Sequence, residues 1–494
     1  MSTRNLLCLL LVTAAICLSR GAMVFPPGFV FGSATAAYQV EGAFDVGGRG
    51  MSIWDTFSHT PGKTFNGETG DVADDFYHRF PADIAMMKAL GLKHYRMSIS
   101  WTRILPNGEG VVSTDGVAFY NGLFDALRDA DITPYVTLFH WDSPQALEDE
   151  FTGWLDAGMA AAYANYAAVC FAAFGDRVKH WFTFNEPFTF ASVGYAAGIH
   201  APGRCSDRKN CDHGDSQTEP YLVVHNILRA HAMASSVYRT TYKASQGGTV
   251  AIVNNCDFIQ PYSDAAVDVA ASQRGLEFEC GWFNDPIFFG DYPASMRARL
   301  GARLPSFTSE EKTMLIGSSD HIALNHYSSR YGADMACPQG PQASWSDEAC
   351  VRLGIVDSRG NAIGPVAASS WLYVVPWGIR GILKWLKGRY NNTAIYVTEN
   401  GVDEENTSPN NVLSDAWRID FYTGYIGNVS AAINEDGVDV RGYFAWSLMD
   451  NFEWADGYSK RFGMVFVDFA NGNTRTLKAS AKWYSQLIAN NTEA

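Results

Sequence analysis

Two short segments of the sequence end a β-rich apolar run with a glutamate, and paired glutamates can do chemistry. The first, Trp-Phe-Thr-Phe-Asn-Glu-Pro at 181–187, stops at Pro187, which cannot continue a central strand. The second, Ile-Tyr-Val-Thr-Glu-Asn-Gly at 395–401, places Glu399 at an equivalent strand end. A single glutamate before a helix often only complements the helix dipole. Two carboxyls brought to one site could instead share the work of an acid/base and a nucleophile, so Glu186 and Glu399 are the first candidates.

The elements that would position these glutamates recur along the chain. Short β-branched and aromatic runs alternate with longer helical patterns, and between the third and fourth runs apolar residues from Ala160 to Phe174 repeat at spacings of three and four. The eight runs are 29–34, 94–101, 134–141, 180–186, 250–254, 321–327, 394–399 and 440–446. Strands alternating with helices predict a parallel sheet, and eight such units predict a single α/β domain with the (β/α)8 TIM-barrel fold and long βα loops.

The predicted strand ends are unusually polar and aromatic. In a barrel of this kind the carboxyl ends of the strands face the active site. The rim of a barrel must contain some polar residues, so any one of these residues could lie there without a role in function. As a set they favour a pocket for a polyhydroxylated ligand. Its members are Gln39, Arg96, Trp101, His140, Trp141, Asn185, Glu186, Asn325, Tyr327, Glu399 and Trp446.

Six motifs, in order along the chain, resemble those of glycoside hydrolase family 1, the β-glucosidase family, and the resemblance covers nearly the whole mature chain. They are Phe-Gly-Ser-Ala-Thr-Ala-Ala-Tyr-Gln-Val-Glu-Gly from Phe31, Tyr-Arg-Met-Ser-Ile-Ser-Trp from Tyr95, His-Trp-Asp from His140, Thr-Phe-Asn-Glu-Pro, Tyr-Val-Thr-Glu-Asn-Gly, and Trp-Ser-Leu-Met-Asp-Asn-Phe-Glu-Trp from Trp446. The resemblance implies a retaining β-glycosidase that removes a terminal β-glucosyl, or also a galactosyl or fucosyl, residue.

The resemblance also implies roles for individual residues. Glu186 would be the acid/base and Glu399 the nucleophile, with Arg96 and Asn325 supporting the nucleophile. Trp446 would lie beneath the sugar ring and Trp371 would be the platform for the leaving group. The remaining substrate-binding residues would be Gln39, His140, Asn185, Tyr327, Glu453 and Trp454.

The chemistry of retaining hydrolysis explains these residue types. It needs two carboxyls about 5 to 5.5 Å apart, one to protonate the leaving oxygen and one to attack the anomeric carbon. Two such close carboxyls do not both ionise readily, so Arg96 and Tyr327 would keep Glu399 charged while Glu186 keeps its proton. No metal or cofactor is required for this reaction.

Three other functions are weighed against this one. Plant thioglucosidases of the myrosinase type have Gln at the position of Glu186, which argues against that type, although insect myrosinases keep the Glu. Phospho-glycosidases of the family lack an acid at the position of Glu453, and this chain retains that acid. Non-catalytic carbohydrate-binding or receptor barrels have lost one or both carboxylates, and this chain retains both.

The composition and the amino terminus bear on partners and location. With 37 basic and 52 acidic side chains, the net charge of −15 argues against nucleic acid as a partner. Residues 1–21 have a secretory signal pattern, with an apolar core too short to span a bilayer, and no other segment is a candidate span. We therefore expect 22–494 to be one catalytic domain without a membrane span, secreted or carried in the secretory pathway to an extracellular or vacuolar location. The oligomeric state is left open.

The cysteines and sequons fit export. Of nine cysteines, Cys8 and Cys17 lie in the signal segment, which leaves seven, an odd number. A disulfide between Cys205 and Cys211 is expected, Cys337 and Cys350 could pair, and Cys170 lies on the apolar face of a helix. Candidate glycosylation sites are Asn391, Asn406, Asn428 and Asn490.

Overall fold

A computed structural model describes residues 23–340, 344–407 and 412–492. Its centre is a closed barrel of eight parallel strands in chain order around the ring, each paired with the strands before and after it, and the first paired with the last. The strands are β1 (Val30–Ala34), β2 (His94–Ser98), β3 (Thr133–Phe139), β4 (His180–Asn185), β5 (Thr249–Asn255), β6 (Ile322–Asn325), β7 (Ile395–Asn400) and β8 (Val440–Trp446). All eight predicted strands and the (β/α)8 fold are confirmed.

Long helices follow the strands along the chain and cover the outside of the barrel. They are Phe76–Ala89, Thr114–Asp129, Gly158–Phe174, Glu219–Val237, Ala266–Leu276, Pro376–Arg389, Ala416–Asn434 and Ala479–Thr492. Shorter α-helices are Ala37–Val40, Ile53–His59, Trp101–Ile104, Gln145–Phe151, Pro187–Ser192, Lys243–Gln246, Trp282–Phe289, Ala294–Leu300, Ser309–Leu315 and Trp345–Glu348. The predicted apolar face between β3 and β4 is part of Gly158–Phe174 and is buried from Met159 to Phe174.

The barrel interior is filled by side chains and is not a channel. Apolar residues from six of the eight strands form a core cluster of their own inside the barrel, separate from the larger one between strands and helices. The cluster consists of Val30, Tyr135, Phe182, Ala251, Val253, Ala323 and Phe444. Because these side chains fill the interior of the barrel, a ligand can reach only the carboxyl ends of the strands.

The βα loops above that end contain three small sheets. The largest pairs Phe258–Pro261, Ser329–Asp334 and Val351–Gly354, and the others pair Glu404–Glu405 with Lys460–Arg461 and Val465–Asp468 with Thr474–Leu477. These sheets give the long loops a hydrogen-bonded framework, so the residues they carry are held in place above the barrel.

The described residues include three disulfides, Cys205–Cys211, Cys256–Cys280 and Cys337–Cys350, and a buried free thiol at Cys170. The pairing of Cys256 with Cys280 was not predicted from the sequence. The predicted signal segment, 1–21, lies outside the described residues. Within the described part of the chain, no helix has the length and apolar character needed to cross a membrane.

Candidate active site

A cavity of about 480 Å³ opens where the carboxyl ends of the strands meet. Eleven of the predicted site residues line it: His140, Trp141, Asn185, Glu186, Asn325, Tyr327, Trp371, Glu399, Trp446, Glu453 and Trp454. Three predicted residues are fully buried and form no part of the lining: Gln39 and Arg96 adjoin it, whereas Trp101 stacks on Tyr166 with ring centroids 4.9 Å apart. The strand ends therefore bring together residues that are far apart in the chain, such as Arg96 and Glu399, which are 303 positions apart.

Glu186 is delivered to the cavity by an abrupt change of backbone direction. β4 ends at Asn185, Pro187 starts the next helix, and Glu186 between them has φ 45° and ψ 61°, in the left-handed region that costs a non-glycine residue energy. Asn325 Nδ2 donates to Glu186 Oε1 at 2.8 Å. Burial, and then the neighbouring charge of Glu399, raise the pKa of Glu186 to about 8.

Glu399 stands near the end of β7 in different surroundings. Arg96 Nη1 lies 2.5 Å from Glu399 Oε1, and the Tyr327 hydroxyl donates to Oε2 at 2.6 Å. Both oxygens thus accept from donors, and one of the donors carries a full positive charge. The pairing of β7 with β6 shifts register between Val397 and Glu399, and such irregularities re-aim side chains at barrel rims. The two carboxyls therefore have unequal partners. Glu399 accepts from a cation and a phenol, whereas Glu186 accepts from a neutral amide.

A hydrogen-bond chain fixes the orientation of the neighbouring amide and imidazole. Arg96 Nη2 donates to Asn185 Oδ1 at 2.6 Å, and because a guanidinium can only donate, this contact identifies the amide oxygen. Asn185 Nδ2 therefore faces His140 Nε2 at 3.0 Å and donates to it. Burial lowers the pKa of His140 well below its usual value, so the ring is neutral and its proton is on Nδ1.

Several buried polar atoms near the cavity have no hydrogen-bond partner among the described residues. They include Gln39 Oε1, His140 Nδ1 and Glu453 Oε2. Burial, and then the charge of Asp403, raise the pKa of Glu453 well above its usual value. Because unpartnered buried polar atoms are costly, this set is suited to a ligand that both donates and accepts hydrogen bonds, as hydroxyl groups do.

Aromatic rings complete the cavity. The His140 ring stacks near Trp446, with centroids 5.9 Å apart, and near Trp454, with centroids 6.0 Å apart. Trp371 is 46% exposed and meets Tyr327 edge to face at 6.0 Å. Ring faces of this kind suit the apolar C–H faces of a sugar, and the exposed Trp371 offers a further face where the cavity opens.

One predicted contact differs in the structure. Asn325 was expected to support Glu399, but its amide donates to Glu186 and Asn185 because Thr398 Oγ1 donates to its Oδ1 and fixes its orientation. The predicted contact of Gln39 with a ligand is limited to Oε1, because Nε2 donates to Asn451 Oδ1 and to the Phe452 carbonyl.

Seven polar residues that line the cavity were not predicted from the sequence: Thr189, His200, Asn255, Asp257, Glu279, Arg330 and Asp456. The predicted fifth strand ended at Asn254, one residue short of Asn255. The signal that could have found two others is the pair of segments Cys256-Asp257 and Glu279-Cys280, in which each cysteine of one disulfide is adjacent to an acid.

Comparisons with known proteins find similar chains over nearly the whole length of this one. The family model for glycosyl hydrolase family 1 matches residues 22–493. Beta-glucosidase 6 of Oryza sativa subsp. japonica is 49% identical over 479 residues, covering 95% of this chain and 91% of the relative. A rice β-glucosidase mutant solved in a covalent complex with glucose has a TM-score of 0.92 at 48% identity, covering 94% of this chain and 98% of that one. An aphid myrosinase has a TM-score of 0.87 at 36% identity, with coverages of 94% and 99%.

Proposed function

Because the chain belongs to glycosyl hydrolase family 1 and is a β-glucosidase, we propose that it hydrolyses β-glucosides with retention, with Glu399 as the nucleophile and Glu186 as the acid/base. The observation that carries this assignment is the unequal environment of the two carboxyls. Glu399 accepts from Arg96 and Tyr327, whereas Glu186 accepts from a neutral amide and has a pKa raised to about 8. At neutral pH the first is suited to attack and the second to donate a proton.

In the first step, a Glu399 oxygen attacks the anomeric carbon while the bond to the leaving oxygen breaks. Glu186 gives its proton to that oxygen, so the leaving group departs as a neutral alcohol or phenol. The product is a glucosyl ester on Glu399. The rice relative solved in a covalent complex with glucose supports an intermediate of this type.

In the second step, Glu186 changes from acid to base. The charge of Glu399 is one cause of the raised pKa of Glu186, and esterification removes that charge. The pKa of Glu186 therefore falls when the intermediate forms, and its carboxylate can take a proton from water as the water attacks the anomeric carbon. The bond to Glu399 breaks, and glucose leaves with its original β configuration.

The glycone would be held by the residues around Trp446. Gln39 Oε1, His140 Nδ1 and Glu453 are the groups proposed to bond its hydroxyls, with help from Asn185, Tyr327 and Trp454. Trp446 would lie beneath the ring and Trp371 beside the leaving group. The substrate would be a small-molecule or oligosaccharide β-glycoside, with terminal glucosyl preferred and galactosyl or fucosyl also accepted.

The assignment is tested by labelling the nucleophile. A β-glucoside with fluorine in place of the C2 hydroxyl and a good leaving group forms the intermediate but releases it slowly, because fluorine destabilises the transition state of both steps. Peptide mapping of the inactivated enzyme should place the sugar on Glu399. Labelling of any other carboxylate, or the lack of a covalent adduct, would contradict the proposed roles of Glu399 and Glu186.

We also propose that the protein follows the secretory pathway after removal of residues 1–21, leaving 22–494 as the mature enzyme. The three disulfides support an oxidising compartment. Of the sequons, Asn391, Asn406 and Asn490 are exposed, and Asn428 is half-buried within a helix. Amino-terminal sequencing and glycopeptide mapping of protein collected from the culture medium of expressing cells would test the cleavage site and the glycans.

A further inference from the structure

One wall of the cavity continues from Glu186 through residues that the mechanism does not use. Thr189 lies beside Glu186 and lowers its pKa slightly against the larger opposing effect of burial. Asn255 Nδ2 donates to Thr189 Oγ1 at 3.0 Å, and Asn255 Oδ1 is buried without a partner among the described residues. Asp257 and Glu279 follow on the same lining. The wall therefore leads from the proton donor to a pair of acids.

The two acids are held together covalently through their neighbours. Cys256, which precedes Asp257, forms a disulfide with Cys280, which follows Glu279. The Asp257 backbone N–H also donates to Glu279 Oε1 at 2.7 Å. A loop after β5 and the segment Glu277–Gly281 are thus joined where each contributes a carboxyl, so the pair is positioned before any ligand binds.

Each of the two acids has one carboxyl oxygen that accepts no hydrogen bond from the described residues. Glu279 is 5% exposed, yet the described residues donate only to its Oε1. Asp257 Oδ1 accepts from the Ser328 N–H at 3.1 Å, and no described residue donates to Oδ2. Burial, and then the charge of Asp257, raise the pKa of Glu279 well above its usual value. A buried carboxyl that faces a cavity with an unused oxygen is suited to contact a ligand.

The other charged residues near Asp257 and Glu279 do not offset the acidity of this pair. Arg330 also lines the cavity, and its positive charge lowers the pKa of Glu279. Its guanidinium donates to Ser328 Oγ and the Ser329 carbonyl, each at 2.8 Å, and lies over the Tyr373 ring. The other carboxyls of the cavity are Glu186, Glu399, Glu453 and Asp456. An anionic group placed at this wall would meet a surplus of acids.

Apolar groups complete the same part of the cavity. Trp345, Trp371, Leu353 and Ile259 line it together with the acid pair. Such a surface can hold the body of an aromatic or aliphatic leaving group while the pair contacts a polar substituent on it.

We infer that Asp257 and Glu279 form a specificity site for the leaving group, which selects aglycones that present a hydroxyl or ammonium hydrogen-bond donor and rejects those that present a carboxylate. This inference rests on the proposed function, because it requires the glycosidic oxygen to lie at Glu186. The pair does not touch the reacting atoms, so we expect its main effect to be on the choice of substrate.

The test compares phenyl β-glucosides whose ring carries ethyl, hydroxymethyl, aminomethyl or carboxylate at the 4-position. The parent enzyme should have a higher kcat/KM for aminomethyl than for carboxylate by on the order of tenfold or more, as expected for one charge a few ångströms away in partly screened surroundings. Hydroxymethyl should exceed ethyl, which has the same size, by about fivefold, the value of one net hydrogen bond. The larger of these two preferences identifies which donor the site favours.

Asp257→Asn and Glu279→Gln, combined, remove the acidity with little change of shape. The aminomethyl to carboxylate ratio should fall by about tenfold, while activity on unsubstituted phenyl β-glucoside stays within about threefold. Because parent and variant act on the same leaving groups, intrinsic reactivity cancels in this comparison. Asp264→Asn, which removes a 94% exposed carboxylate outside the cavity, should leave the ratio unchanged.

Three results would overturn the inference: a parent that accepts carboxylate as well as aminomethyl, a donor preference absent from both substrate pairs, or a ratio that the double variant does not change. A fall in activity that is equal for every substrate leaves the ratio unchanged and counts against it as well. Failure of the proposed function would look different, because the parent itself would then not turn over unsubstituted phenyl β-glucoside.

Discussion

Arg96 Nη1 lies 2.5 Å from Glu399 Oε1, and both side chains are almost completely buried. Burying two charges is costly, and the cost is offset only if each has the other and further hydrogen bonds. In this site the Tyr327 hydroxyl donates to the second oxygen of Glu399, and Asn185 Oδ1 accepts from Nη2 of Arg96. The pair is therefore the electrostatic centre of the site, and the proposed nucleophile depends on it.

Arg96→Met should reduce kcat/KM on aryl glucosides by at least about a hundredfold, because it removes the cation and the hydrogen bond that stabilise and orient the buried Glu399 carboxylate. Arg96→Lys should lose less, since it keeps the charge but not both hydrogen bonds. The rate of labelling by the fluorinated glucoside measures the effect on the nucleophile directly. Labelling of the Met variant at the parent rate would show that Glu399 does not need Arg96.

The pH dependence of kcat/KM should have an alkaline limb near pH 8. Glu186 must be protonated to act as the acid, and its protonated fraction falls as pH rises through a pKa of about 8. In Glu186→Gln, assayed with a dinitrophenyl glucoside whose leaving group needs no proton, that limb should disappear. A limb that stays in place in the variant would assign it to another group.

The raised pKa of Glu186 should also cost stability at neutral pH. Its pKa is about 8 in the folded protein against an ordinary value of 4.5, so the folded state binds more protons between these values and stability falls as pH rises through them. Glu186→Gln should therefore be more stable than the parent by about 2 to 4 kcal/mol at pH 7.5 and nearly equal to it at pH 4.5, because a neutral amide avoids this cost.

Urea unfolding at the two pH values measures that difference. The matched control is Glu405→Gln, which changes a 58% exposed glutamate on the surface and should show no pH-dependent gain. If the Glu186 variant gained the same stability at both pH values, a change in packing rather than the pKa shift would be responsible.

Glu453→Ser should reduce kcat/KM on glucosides by about a hundredfold or more, because contacts to hydroxyl groups strengthen in the transition state. Removing the acid should also raise acceptance of glucosides phosphorylated at C6 relative to glucosides, since a carboxyl there would repel the phosphate. Kinetics with both substrates measure the change, and Glu405→Ser serves as the surface control. Unchanged turnover of glucosides would show that Glu453 does not bind the glycone.

The barrel was predictable because its signals are local. Each strand is a short β-branched or aromatic run, and each ends in residues that a strand interior would not contain, as Glu186 before Pro187 illustrates. All eight strands lie where these runs were found, with ends that differ by only a few residues. The residues at their carboxyl ends converge because all the strands of a closed parallel barrel end at the same rim.

The contacts made by single side chains were less predictable. The direction of the Asn325 amide depends on Thr398, which lies on the neighbouring strand and is 73 positions away. The Cys256–Cys280 disulfide depends on a helical segment packing beside the end of β5, and spacing along the chain does not reveal that packing. Loops with their own small sheets place Asp257 and Arg330 at the cavity, so the leaving-group side of the site required the structure.

The most direct test of the two carboxylate roles is azide rescue of Glu186→Gln. This variant keeps the nucleophile, so a dinitrophenyl glucoside should still glycosylate it, and the intact mass should show one added glucosyl group because water attacks slowly without a base. Azide needs no base and should restore turnover with β-glucosyl azide as the product, whereas Glu399→Ala should yield no β product with or without azide. Full activity of Glu186→Gln on alkyl glucosides, or azide rescue of Glu399→Ala to a β-glucosyl product, would contradict the assignment.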